Sequence, residues 1–182
     1  MENSKVSVWK GTLNAGVFLG LVLVLYSLLL YFTDQMFNQL LGAGVYVVYI
    51  AGLFMAIKSF RENHRQGYLS YGQALGTGVV VALYAAIISA VFTYVLYTFI
   101  DPDLPVKMLE FTKQKMLDRG MPDEQVEMSM KISSKLMKPW FMSISAVLNG
   151  VFLGTIISLI LGIFLKNEPE HPFDEVPAAE EE

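Results

Sequence analysis

Residues 71–100 read YGQALGTGVVVALYAAIISAVFTYVLYTFI, thirty positions without one Asp, Glu, Lys, Arg or His. A helix rises about 1.5 Å per residue, so about twenty apolar residues cross a hydrocarbon core about 30 Å thick. Lipid offers the backbone no hydrogen-bonding partner, so a stretch of this kind must close its own hydrogen bonds as a helix. Three further charge-free stretches accompany it, at 11–32, 37–57 and 140–165. The chain is therefore predicted to be an all-α, polytopic membrane protein with four transmembrane helices. Its composition agrees, with 16% charged residues against roughly 25% in a soluble domain.

Outside the spans lie short ends and a 38-residue connection, 101–138, too little for a separate water-soluble core. Residues 1–166 are expected to form a single membrane domain. Residues 167–182 hold three prolines, several acids and no basic residue, which predicts a disordered acidic tail. Lys5 and Lys10 before the first span look like the start of a signal peptide. The apolar run is too long for one, however, and Thr33-Asp34-Gln35-Met36 after it offers no cleavage site, so an uncleaved anchor is expected.

Basic residues near the spans set orientation. The 33–36 connection has none, whereas Lys58, Arg61 and Arg65 follow the second span, on the same side as Lys5, Lys10 and Lys166. Both termini are thus predicted to be cytoplasmic. The 101–138 connection, which carries seven basic and seven acidic residues, falls outside. Within it, Asp101-Pro102-Asp103 is predicted to cap a helix running to Arg119, which Gly120 ends. Met121-Pro122-Asp123-Glu124 starts a second helix running to about Met137. Leu104, Met108 and Phe111, then Val126, Met130 and Met137, give each an apolar stripe. An extracytoplasmic helical hairpin packed on its own spans is the expectation.

Small residues mark where helices touch in lipid, because flat faces let backbones approach closely. Gly16–Gly20, Gly72–Gly76 and Gly150–Gly154 are GxxxG pairs, and Gly78, Ala82, Ala86 and Ala90 continue the third span's face. These glycines are the predicted helix-packing residues, within one chain or between copies. The pentapeptide GVFLG occurs twice, at 16–20 and 150–154, as an inverted repeat or by coincidence in an apolar vocabulary. Tyr46, Tyr49, Tyr94 and Tyr97 sit in the outer halves of their spans. They form either an interfacial belt or the lining of an outer pocket.

The same lack of charge narrows the chemistry. Proton-coupled transport places an ionisable residue within a span, and none is there. Intramembrane hydrolysis needs a Ser–His pair, paired acids or a metal, yet His64 and His171 lie outside the spans. Glu62/His64 and Glu170/His171/Asp174 match no ligand spacing, and Gly72–Gly78 lacks the Lys of a phosphate loop. No cysteine is present, which excludes disulfides, thiolate metal sites and cysteine-borne lipid anchors. The net charge of −4 comes without any basic cluster interleaved with aromatics, so nucleic acid is not an expected partner. No catalytic, cofactor-binding or metal-ligating residue is predicted. The intramembrane polar groups are Asn14, Ser89, Thr93, Ser143, Ser145, Asn149, Thr155 and Ser158.

Ser70-Tyr71-Gly72-Gln73-Ala74-Leu75-Gly76-Thr77-Gly78 and Gly120-Met121-Pro122-Asp123-Glu124-Gln125 carry a family likeness. Over residues 5–166 the chain resembles an uncharacterised family of four-span membrane proteins from Bacteroidetes-type bacteria, catalogued as a domain of unknown function (DUF4199). The resemblance implies a bacterial inner membrane and brings no activity or site residue. Two functions are carried forward. One is a non-enzymatic structural or accessory subunit, associating with itself or with another membrane protein. The other is a small channel or transporter for a neutral or lipidic solute, using the Tyr-rich outer half.

Overall fold

The computed structural model describes residues 7–167, and the acidic tail predicted for 167–182 lies outside them except for Asn167. Six helices follow in order: α1 (Val8–Phe32), α2 (Gln39–His64), α3 (Tyr71–Val95, continued by a π-turn, Leu96–Ile100), α4 (Leu104–Asp118), α5 (Asp123–Leu136) and α6 (Pro139–Leu165). Among the described residues there is no β-strand, and four helices are long and apolar enough to cross a membrane: α1, α2, α3 with its π-turn, and α6. The predicted fold class holds.

Boundaries depart from the hydropathy pattern where helix and apolar run differ in length. Residues 58–64 follow the second apolar stretch without Gly or Pro, so α2 continues two turns beyond it. It stops only before Gly67, whose φ of +87° a side-chain-bearing residue rarely adopts. Phe37, read as the first residue of that span, lies before α2. Asn38 is the cap, accepting from the Leu40 and Leu41 amides at 3.0 and 3.3 Å. Ser70 and Gln73 form a capping box at the start of α3. Paired 2.8 Å backbone bonds between Leu69 and Asn167 tie the α2–α3 turn to the end of α6.

Helix α3 is the hub, packing most extensively on α6 and α1, while α2 is the most loosely held span. Gly16 and Gly20 of α1 face Tyr84 and Ile88 of α3, so these helices run parallel. Gly150, Gly154, Ser158 and Gly162 of α6 face Ala86, Ala82, Gly78 and Ala74, an antiparallel register advancing four residues at a time. Both GVFLG segments therefore seat their glycines against α3, and both turn the phenylalanine outward. Phe18 and Phe152 are each 68% exposed. Large apolar side chains on the outside and alanine at the centre is the inverse of a soluble bundle, as expected of a solvent of acyl chains.

Helix α4 lies against one end of the bundle. Leu104 is buried with Leu96 and Tyr97, and Met108 packs on that cluster. The Phe111 ring is 4.9 Å from that of Phe37. Asp103 makes no side-chain cap to α4. Its neighbour Asp101 instead accepts a hydrogen bond from Lys107 Nζ at 3.1 Å, which holds that ammonium above its ordinary value. The pair is intact at neutral pH, and on the alkaline side it is lost as pH rises through the raised lysine value. Gly120, with φ of +74°, turns the chain into α5. Val126 of α5 is buried, and Met130 with Leu109 and Leu117 lines the α4–α5 groove. A second α5 stripe, Met128, Ile132 and Leu136, stays exposed. Its spacing of four is legible in the sequence beside the stripe through Val126 and Met130.

Candidate ligand cavity

Of the four tyrosines of the outer halves, Tyr46 and Tyr49 line one cavity, and Tyr94 and Tyr97 lie outside its lining. Tyr49 is buried, and its hydroxyl donates to the Gly150 carbonyl at 2.8 Å. Tyr46, one turn away, is exposed beside it. Tyr97 is buried beneath α4 with its hydroxyl 3.6 Å from Met108 Sδ. Tyr94 is exposed and meets Phe99 edge-on. A role neither the belt nor the pocket reading anticipated links several span tyrosines. Tyr26 donates to the Leu41 carbonyl, Tyr49 to Gly150, Tyr71 to Leu159 and Tyr84 to Trp9. Each bond joins two different spans. A tyrosine laid over a glycine reaches a backbone carbonyl that a larger residue would screen, and in lipid such bonds replace a missing hydrophobic drive.

The glycines divide equally clearly. A Cβ added at Gly16 would lie 2.5 Å from Tyr84 Cβ, and at Gly150 2.9 Å from Ala86 Cβ; at Gly154 it would strike Ala82. At Gly20 it would come within 2.9 Å of Ile88, and at Gly78 it would strike Ser158. At Gly72 or Gly76 it would meet nothing within 4 Å. These two do not pack inside the bundle, because the α6-facing side of α3 is set by Ala74, Gly78, Ala82 and Ala86. Ser158 and Gly162 also pack there, extending the Gly150–Gly154 spacing by two further turns.

Where loosely held α2 meets the α3–α6 seam, a cavity of about 320 Å³ opens. All four spans line it: Leu23 and Ser27, Val45, Tyr46 and Tyr49, Ala86 and Ser89, and Ala146, Asn149, Gly150 and Leu153. Every polar group in that lining is uncharged. Span hydroxyls here mostly bond back to a carbonyl four residues earlier, as Ser27, Thr77, Thr93, Ser143 and Thr155 do. Ser89, Thr98 and Ser158 depart from that pattern, each with a buried hydroxyl oxygen that has no partner, and of the three Ser89 is the one in the cavity lining. The exposed members of the lining include Tyr46 on α2 and Asn149 on α6, so the mouth lies between those helices. At 1.5 Å per residue, Tyr46 is about 10 Å and Asn149 about 15 Å from the α4–α5 ends of their helices. That is acyl-chain depth, so the mouth faces lipid. Among the described residues no group of three or more His, Cys, Asp or Glu is placed to hold a metal ion.

Fold and cavity together define a polytopic all-α membrane protein with an uncharged interior. The family model described as protein of unknown function (DUF4199) matches residues 14–167, and the chain belongs to that family. The likeness carried by Ser70–Gly78 and Gly120–Gln125 thus holds at the level of family. No curated protein and no solved structure matches the chain.

Proposed function

We propose that this is a non-enzymatic protein of a bacterial cytoplasmic membrane that binds a neutral amphiphile, a lipid or lipid-like solute, in the cavity beside Tyr49. The observation that carries this is the Ser89 hydroxyl, unpaired and buried in a cavity whose mouth lies at acyl depth. A ligand arriving from the bilayer with one hydroxyl or carbonyl would satisfy that group, and the apolar walls formed by Leu23, Val45, Ala86, Ala146 and Leu153 would hold its chain. No acid–base group titrating near neutrality lines the cavity, which supports binding or passage over catalysis. In purified protein in nanodiscs, a diazirine-bearing diacylglycerol is expected to crosslink to peptides carrying Tyr46, Ser89 and Asn149. Ala146→Phe fills the cavity and should cut that crosslinking about tenfold, the equivalent of about 1.4 kcal/mol. Equal crosslinking in the two proteins would refute the assignment.

Orientation forms part of the proposal: α4 and α5 outside, both termini in the cytoplasm. Basic residues at the α2–α3 turn support it. A cysteine-free chain makes the test simple. Ser129→Cys in α5 should react with a membrane-impermeant maleimide on intact cells, and Asn63→Cys only after permeabilisation; the reverse pattern would invert the topology.

A second reading, an accessory subunit acting through association, keeps support from two unpartnered features. These are the open Gly72–Gly76 face and the exposed Met128, Ile132 and Leu136 of α5. The other GxxxG pairs are engaged inside the bundle, which leaves these surfaces open to a second copy or a membrane-protein partner.

A further inference from the structure

At the end of the bundle opposite α4, the two extra turns of α2 carry Arg61, His64 and Arg65 beyond the apolar stretch. Buried Phe60 organises them. Its ring stacks on His64 at 5.2 Å between centroids, and the Arg65 guanidinium lies 5.5 Å from the same ring. Arg61 reaches across to α6, with Nη1 donating to the Leu165 carbonyl at 3.3 Å and Nη2 lying 3.7 Å from Glu62. Three polar atoms in this group, Arg61 Nε, His64 Nδ1 and Arg65 Nε, are covered and have no partner. Unpaired nitrogens on charged or polar side chains are costly, and here they cluster within five residues on one helix end.

The surrounding side chains favour an anion: Lys10 in the first turn of α1, Lys58 and Lys166 lie at the same end. The helix dipoles add nothing net, because the N-termini of α1 and α3 are matched there by the C-termini of α2 and α6. Glu62 is the one acid at this end among the described residues. Arg61 to Arg65 lie four to eight residues past Ile57, about 6–12 Å beyond the apolar run, which is the depth of headgroup phosphates rather than of bulk water. Guanidinium forks match phosphate oxygens in pairs, a geometry lysine cannot reproduce.

We propose that Arg61, His64 and Arg65 form a binding site for the phosphodiester headgroup of an anionic phospholipid, held in place by Phe60. The site is separate from the cavity beside Tyr49 and does not depend on it. Bilayer lipid and dissolved phosphate share this chemistry, so the test separates them. Wild-type protein in phosphatidylcholine nanodiscs is compared with nanodiscs containing phosphatidylglycerol and with phosphatidylcholine nanodiscs in inorganic phosphate, at matched ionic strength. Phosphatidylglycerol is expected to raise the thermal midpoint and to remain bound in native mass spectrometry, whereas phosphate does neither. Arg61→Gln/Arg65→Gln should lower bound phosphatidylglycerol about tenfold, and Arg65→Lys, which keeps the charge and loses the fork, should lower it partly. Lys131→Gln/Lys135→Gln, on α5, should leave it unchanged. Circular dichroism in phosphatidylcholine confirms that each variant is folded. The proposal is overturned if the Arg61/Arg65 variant retains as much phosphatidylglycerol as wild type, if the α5 variant loses as much as it does, or if inorganic phosphate stabilises equally.

Discussion

Gly154→Leu is expected to separate α6 from α3 and destabilise the bundle by about 3 kcal/mol, the upper range for forcing bulk into a packed interior. A Cβ at 154 already strikes Ala82 and comes within 2.7 Å of Tyr49 Oη, and neither neighbour can withdraw cheaply. Ala82 is fully buried on the hub helix, and the Tyr49 hydroxyl is committed to the Gly150 carbonyl. Pushing α6 away forfeits that hydrogen bond together with the close approach at Gly150, Ser158 and Gly162. In lipid no hydrophobic effect restores contact at a larger separation, so the lost dispersion is not recovered elsewhere. Gly76→Leu is the control. It adds the same side chain to the same kind of motif, but in open space, and should change stability by no more than about 0.5 kcal/mol. Unfolding in mixed micelles, followed by circular dichroism, measures both. Equal effects would mean that the α3–α6 seam does not carry the stability assigned to it.

That contrast marks how far the sequence could be read. Hydropathy alone located the four spans, because twenty apolar residues in a row have few other uses. Motif spacing showed that glycines would pack but not which ones. Gly72–Gly76 and Gly150–Gly154 are indistinguishable as strings, and they differ only because Ala74, Gly78, Ala82 and Ala86 take the side of α3 that meets α6. The tyrosines were legible as a group at one level of the membrane. Their roles depend on which carbonyl each hydroxyl reaches, and that follows from helix rotation, which span composition leaves open. The cavity was the least legible feature. It exists because α2 is loosely held, and its distinguishing atom, Ser89 Oγ, differs from other span hydroxyls only in its surroundings. Ser89 and Asn149 did stand among the intramembrane polar residues of the sequence, without any sign that they would line one space. The α2 extension was hidden for a simpler reason: hydropathy ends where charge begins, while the helix runs on to His64.

Charging the contact face of α4 is expected to free α4 and α5 while leaving the four spans folded. In Leu104→Asp/Met108→Asp one carboxylate replaces a side chain only 3% exposed, and the other replaces the thioether beneath the Tyr97 hydroxyl. An isolated carboxylate in an apolar contact costs several kcal/mol unless it finds a partner or reaches water. Here water is reached simply by lifting α4 off. Little would resist that movement. The Phe37–Phe111 contact remains, worth about 1 kcal/mol, and the exposed Lys107–Asp101 pair is of the kind that adds little. The α4–α5 contacts through Val126 would move with the hairpin and cannot hold it to the bundle. Opening then becomes local, with a free energy far below that of the spans, which α3 holds independently. Trypsin cleavage after Lys113, Lys115 and Arg119 in nanodiscs should accelerate about 100-fold, corresponding to about 2.7 kcal/mol of lost closure. The far-ultraviolet spectrum should keep the helicity of the spans, since their packing on Gly78, Ala82 and Ala86 is remote from the change. If cleavage stays at the wild-type rate, α4 is held by something other than its Leu104–Met108–Phe111 face. If the spans unfold with it, the bundle end is part of one cooperative unit rather than a platform for a separable pair of helices.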